Sequence, residues 1–504
     1  MTMSRRSLLA CMTALGFAGR ATAADISFGS AAAFGPETVR DLARQLAKQD
    51  FVPTPEVPKA WTDINYDAYR KYWFRGRDAL FADSDGPLHV DMLHPGLWYA
   101  QPVRIDVVQD GTAREVMFDI ALFDRTDDAP DLPIDDTLGY SGIRLRAQME
   151  RPGIFQEFAV FQGASYFRAI ARGLTYGLSA RGLAVGTATE AGEEFPDFTR
   201  LWIEAPAMGS NTFRIHALLD SPSVTGAFRF DITPGDRTDM SVDCTLFPRV
   251  DMAEVGIAPL TSMFLFDETN RGRFDDYRSA VHDSDGLLVL NGAGEPLWRP
   301  LANPRALQVS AFLDENPKGF GLMQRARKLS DFGDFEAHYQ DRPGLWITPQ
   351  GDWGRGSVAL VEIPIDREYY DNIVAYWRPR EGLTAGTENR LRYSMRWAAD
   401  PAPGLPVTRV IQTRIGASPV RGQVVTIDFA PHEILPSDLR EVEPHVSIGE
   451  ATLIHAEVRR NPETGGARMA LTFDPGDITS LEMRAQLGIG DRRISEVWLY
   501  RWTA

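Results

Sequence analysis

The sequence predicts an all-β fold of two sandwiches, and three observations predict it. Apolar and polar residues alternate with period two in several short runs. Turn-forming residues separate those runs, 43 Gly and 33 Pro among them. The chain of 504 residues is also longer than one core supports, since single cores stop growing beyond about 250–300 residues. No βαβ rhythm, Walker loop or dinucleotide fingerprint competes with this reading.

The N-terminus reads as an export signal over residues 1–23. Ser4-Arg5-Arg6-Ser7-Leu8-Leu9 places two arginines before an apolar stretch from Leu8 to Phe17. Ala21-Thr22-Ala23 then supplies small residues for cleavage. The paired arginines favour the twin-arginine route. The stretch is too short to span a bilayer, which needs about 20 residues. Leu8-Leu9-Ala10-Cys11 has the look of a lipoprotein box, but almost no apolar segment precedes Cys11. The expected location is the periplasm.

A helix is predicted from Gly35 to Lys48. Pro36 stands early, Glu37 lies in the first turn, and Val39, Leu42, Ala43 and Leu46 form the stripe. A second short helix is predicted over Tyr66 to Tyr72. Strands follow at Val103–Val107, Phe213–Ala217 and Phe228–Ile232. A larger N-terminal sandwich is predicted over 24–380. Arg378-Pro379-Arg380-Glu381-Gly382 is polar and turn-rich, so 381–389 reads as a linker. Leu391–Trp397 alternates again, and 390–504 has the size of one immunoglobulin-like sandwich.

Charge and cysteine usage exclude several classes. The net charge is −16. Losing the leader removes three arginines and no acid, leaving 50 basic residues against 69 acidic, a net of −19. Such a surface repels nucleic acid and anionic lipid. Without Cys11, Cys244 stands alone, and Asp243-Cys244-Thr245 reads as part of a strand. The eight histidines show no metal-ligand spacing. No metal or organic cofactor is expected.

Aromatics and charges crowd one stretch. Trp298, Trp346, Trp353, Tyr369, Tyr370, Tyr376 and Trp377 are interleaved with Asp283, Asp285, Lys318, Arg342, Glu368 and Asp371. A pyranose has apolar C–H faces and a polar rim, so its site needs flat rings flanked by hydrogen-bonding groups. Core aromatics with solvated charges between them would look alike. Two acidic motifs stand out. In His282-Asp283-Ser284-Asp285-Gly286, three proton-handling groups sit side by side. In Tyr370-Asp371-Asn372-Ile373-Val374, an acid is bounded by aromatic and apolar residues. Burial beside rings raises a carboxyl pKa, as a proton donor requires. Each motif is equally compatible with a plain turn.

Longer segments carry a resemblance. They include Phe161–Arg168 (Phe-Gln-Gly-Ala-Ser-Tyr-Phe-Arg), Tyr176–Ala184, Glu193–Phe198, Gly256–Phe264, Asn316–Leu322, Trp353–Gly356 and Asp371–Val374. Over most of its length the chain resembles the OpgG/OpgD (MdoG/MdoD) family of osmoregulated periplasmic glucan biosynthesis proteins. The resemblance implies a galactose-mutarotase-like N-terminal β-sandwich followed by an immunoglobulin-like one. It implies action on β-1,2-glucan as an inverting glycoside hydrolase, with Asp371 as general acid and Asp283 as general base. Some relatives are instead anomer-inverting transglycosylases that cyclise the glucan through an α-1,6 bond. A non-catalytic glucan-binding or assembly protein is a further alternative. Tyr339 and Arg342 match family positions near the sugar, and Lys318, Trp353 and Glu368 are expected as site wall by context. Implied partners are β-1,2-glucan, the inner-membrane glucan synthase and a second copy of the chain. One departure is visible. Thr413-Arg414-Ile415-Gly416 runs within a dozen residues into the strand around Val424–Phe429, where D-type members carry a long Gly- and Trp-rich loop.

Overall fold

The computed structural model describes residues 26–82, 86–207 and 209–504. The export signal expected over 1–23 lies outside the described residues. No helix among the described residues is long and apolar enough to cross a membrane.

Two sheets form the large sandwich. One has sixteen strands. Its centre runs Asp197–Glu204, Phe213–Asp220, Val224–Thr233, Thr238–Pro248, Asn389–Ala398, Gly344–Gln350, Gly319–Met323, Gly286–Leu290 and Pro296–Pro300. The other has ten, with Gln308–Glu315 at one edge and Leu88–Leu93 at the other. Alternation sends every second side chain inward. From the first sheet Ile215, Phe230, Val242, Tyr393 and Trp397 enter the core, and from the second Phe161, Phe167, Leu260, Leu360 and Trp377 meet them. Truncating a ring such as Phe230 to Ala would cost about 3–5 kcal/mol. Cys244 is 2 % exposed in this core, within Thr238–Pro248.

The predicted helices are present but shorter. Thr38–Leu46 lays Val39 and Ala43 on Trp202, Leu218, Ala227 and Phe247, covering the outer face of the large sheet. The Thr225 hydroxyl donates to the Ala43 carbonyl at 2.7 Å and pins it there. Tyr66–Tyr69 is one turn, after which Tyr72–Phe74 is a strand.

The large sheet does not stop at the first core. Pro296–Pro300 pairs in parallel with Val497–Thr503, which continues to Ser480–Ile489 and Glu443–Ser447. A four-stranded sheet packs over this extension, made of Val410–Ala417, Gln423–Phe429, Ala467–Asp474 and Thr452–Arg460. Val425, Ile427, Met469, Leu471, Met483, Leu487 and Trp498 fill the second core, which also takes in Trp298 and Trp346 from the large sandwich.

The strand Asn389–Ala398 was expected to open the smaller sandwich at 390. It lies instead inside the large sheet, between Thr238–Pro248 and Gly344–Gln350. Period-two alternation identifies a strand without identifying its neighbours. The four-stranded sheet over the second core begins only at Val410.

Candidate active site

Three consecutive residues, Ser262-Met263-Phe264, hold the two acidic motifs. The Asp283 N–H donates to the Met263 carbonyl at 2.8 Å. The Asn372 N–H donates to the Ser262 carbonyl at 3.0 Å. The Asn372 side chain is saturated: Oδ1 accepts from Phe264 N at 2.8 Å, and Nδ2 donates to the carbonyls of Phe264 and Ile363, both at 3.0 Å. Buried and fully paired, Asn372 fixes the backbone of Asp371 beside it. The hydroxyls of Ser262 and Ser284 meet at 2.9 Å and tie the other motif to the same segment.

The two acids differ in surroundings. Asp283 is buried and bound by the Arg342 guanidinium. Burial pushes its pKa up to about 6, Arg342 opposes this, and the charge of Asp371 adds to the rise. Asp371 is open to solvent along a cavity of about 500 Å³ that it lines with Tyr166, Arg168 and Ser179. Protein crowds the inner side of its carboxyl and raises the pKa, while Arg168, Arg181 and Arg342 pull it down. The two carboxyls therefore sit in one electrostatic field.

The rest of the His282-Asp283-Ser284-Asp285 run is structural. The His282 ring stacks on Phe264 and meets Phe332 edge-on. Burial drives its pKa down to about 3, so it stays neutral. Asp285 accepts from the N–H groups of Arg325 and Ala326 at 2.7 and 3.0 Å.

Tyr339 and Arg342 join the acids. The Arg342 guanidinium stands 4.4 Å from the centroid of the Tyr339 ring, and its Nη2 donates to the Ala337 carbonyl at 3.1 Å. The Arg342 stem crosses Gly177, where a Cβ would fall 2.9 Å from the Arg342 Cβ. Glu368 pairs with Arg278 at 2.6 Å, and its charge acts on the Tyr339 phenol.

Lys318 and Trp353, expected as site wall, stand elsewhere. Gly286–Leu290 runs antiparallel to Gly319–Met323, with Leu290 opposite Gly319 and Gly286 opposite Met323. Lys318 is thus at the end of this pair away from Asp283, and its side chain is exposed beside Gly294. Trp353 packs against the rings of Trp377 and Tyr393 inside the large core. Nearness in sequence brought both into the expectation, and extended strands carry them away.

Sequence reasoning missed the cationic side. Arg168 acts on both acids from the strand Tyr166–Ala169. Arg181 is almost fully buried, bonded to Glu193 at 2.7 Å, and acts on Asp371. Both lie in segments already singled out for their resemblance. An arginine on an inward-facing strand position is the signal that would have found Arg181.

Comparison with known proteins supplies the family. A family model described as "Periplasmic glucan biosynthesis protein, MdoG" matches residues 34–502. The chain belongs to the MdoG family. A relative from Vibrio cholerae serotype O1, named "Glucans biosynthesis protein G", is 44 % identical over 484 residues, covering 95 % of this chain and 88 % of the relative. Proteins of the same name from Shewanella sp. (strain MR-7) and Shewanella baltica (strain OS195) are each 42 % identical, covering 95 % and 96 % of this chain and 88 % and 90 % of theirs. Membership of the MdoG family places the chain in periplasmic glucan biosynthesis.

Proposed function

We propose that this chain acts on β-1,2-glucan as an inverting glycoside hydrolase. Asp371 protonates the departing glycosidic oxygen, and Asp283 takes the proton of the attacking water on the opposite face of the ring. One observation carries the reading: two acids hang on Ser262-Met263-Phe264, one open to a cavity and without a side-chain partner among the described residues, the other held by an arginine. Inverting chemistry needs one protonated and one ionised carboxyl, with room for water between them. Desolvation and the lack of a partner favour the proton on Asp371, while Arg342 favours the anion on Asp283. The linear chain would come from the inner-membrane glucan synthase. Incubating linear β-1,2-glucan with the purified protein, and following size and anomeric configuration by chromatography and NMR, tests it. Shorter reducing chains with inverted anomers are expected; unchanged glucan sinks the reading.

A second reading, transglycosylation, draws on the hairpin between Val410–Ala417 and Gln423–Phe429. There the Ser418 N–H donates to the Gly422 carbonyl at 2.9 Å and closes a tight turn with no room for a lid. Less enclosure leaves the attacking position open to a sugar hydroxyl as well as to water. Cyclic products in the same assay mark this route.

A further inference from the structure

The segment leading into Asp197–Glu204 carries three acids with different duties. Glu193 accepts from Arg181 at 2.7 Å and from the Thr187 hydroxyl at 2.5 Å. Glu194 accepts from the N–H and hydroxyl of Ser223 at 3.1 and 2.7 Å. The Asp197 carboxyl has no hydrogen-bond or ion-pair partner among the described residues. Its cross-strand neighbour Asp220 is occupied by Arg249 at 2.8 Å.

Asp197 is half-buried and lines the same cavity as Asp371. A desolvated carboxyl without a partner weakens the fold, so its presence in a cavity points to a ligand. The neighbouring side chains specify which. Trp98 and Phe195 line the cavity too, and they are 77 % and 49 % exposed. The Arg181 guanidinium stands 5.7 Å from the Phe195 ring centroid and steadies it. Two open rings beside an unpaired acceptor suit a neutral pyranose, whose C–H faces take the rings and whose hydroxyls take the carboxylate.

We propose that this end of the cavity is a glucosyl subsite away from the reacting linkage, where Asp197 accepts hydrogen bonds from ring hydroxyls and Trp98 and Phe195 cover the sugar. The subsite rests on the glucan reading above. Burial, with the charge of Asp220, pushes the Asp197 pKa up to about 6, which leaves it an anionic acceptor at neutral pH.

Calorimetric titration with linear β-1,2-gluco-oligosaccharides of increasing length tests it, on protein carrying Asp371→Asn to prevent turnover. The parent gains affinity as the chain lengthens. Asp197→Leu loses about tenfold for long oligomers, as expected for a charged hydrogen-bond acceptor, and nothing for those too short to reach. Asp197→Asn, which keeps the shape and one acceptor oxygen, loses less and serves if the leucine variant fails to fold. Equal gains with length in parent and variants overturn the subsite alone. A parent that binds no oligomer overturns the glucan reading and the subsite together.

Discussion

Asn372 and Phe264 exchange hydrogen bonds in both directions. The Asn372 side chain accepts from the Phe264 N–H at 2.8 Å and donates to its carbonyl at 3.0 Å, as a neighbouring strand would. The pair joins Ser262-Met263-Phe264, which holds Asp283, to the segment bearing Asp371. Asn372→Ala strands the N–H of Phe264 and removes a donor from the carbonyls of Phe264 and Ile363. The expected loss is roughly 2–4 kcal/mol, read by denaturant unfolding, with activity falling further than stability accounts for.

Replacing either acid with its amide separates chemistry from binding. Asp371→Asn and Asp283→Asn are each expected to lower kcat on β-1,2-glucan by about 10²–10⁴-fold, the usual worth of a general acid or base. Glucan binding should survive in both, because neither change alters shape. Full activity in Asp371→Asn would remove it from the proton-donating role.

The pH profile should be bell-shaped, and one arginine should move it. Asp283 works ionised, so activity is lost as pH falls through about 6. Asp371 works protonated, so activity is lost again as pH rises through its raised pKa. Arg342 lowers both. Arg342→Ala should therefore shift both limbs of kcat/KM to higher pH, and Arg342→Lys should shift them less.

Asp267 offers a stability test away from the reacting groups. It is buried, and burial followed by the charge of Glu268 raises its pKa to about 7. Unfolded, an aspartate ionises near about 4. The folded protein holds the proton more tightly, so the contribution of Asp267 is full below about pH 4 and is lost as pH rises through 7. Asp267→Asn should be more stable than the parent above pH 7, by roughly 2–4 kcal/mol, with the gap closing by pH 4. Unfolding curves at pH 4 and 8 decide it.

The ion pair of Arg325 and Glu496 links the two cores. It is 2.7 Å long and buried, with Arg325 stacked 3.5 Å from the centroid of Trp298. The Arg325 N–H also binds Asp285, two residues from Asp283. Glu496→Ala leaves a buried guanidinium uncompensated and should cost roughly 3–5 kcal/mol in denaturant unfolding.

Much of the fold was legible because alternation is a local signal. The run Phe228–Ile232 lies inside the strand Val224–Thr233, and Phe213–Ala217 inside Phe213–Asp220. The partners of Asn389–Ala398 were not legible, since it pairs with Thr238–Pro248 far back in the chain. At the site, the two acidic motifs drew notice by local composition. Whether they meet depends on hydrogen bonds to Ser262 and Met263, which leave no local mark. Arg168 is a single charge among apolar neighbours and Asp197 follows two other acids, and their facing onto one cavity is a property of the sheet.

The last strand of the chain lies parallel to Pro296–Pro300, with Val497 beside Leu297 and Trp498 beside Trp298. Residues about 200 positions downstream of Pro296–Pro300 must therefore be made before this sheet can be completed. Stopping synthesis at Ala398 would leave Trp298 wet and one sheet edge bare, an invitation to self-association. The larger sandwich is thus no portable module, because Val497–Thr503 covers the edge of one of its strands.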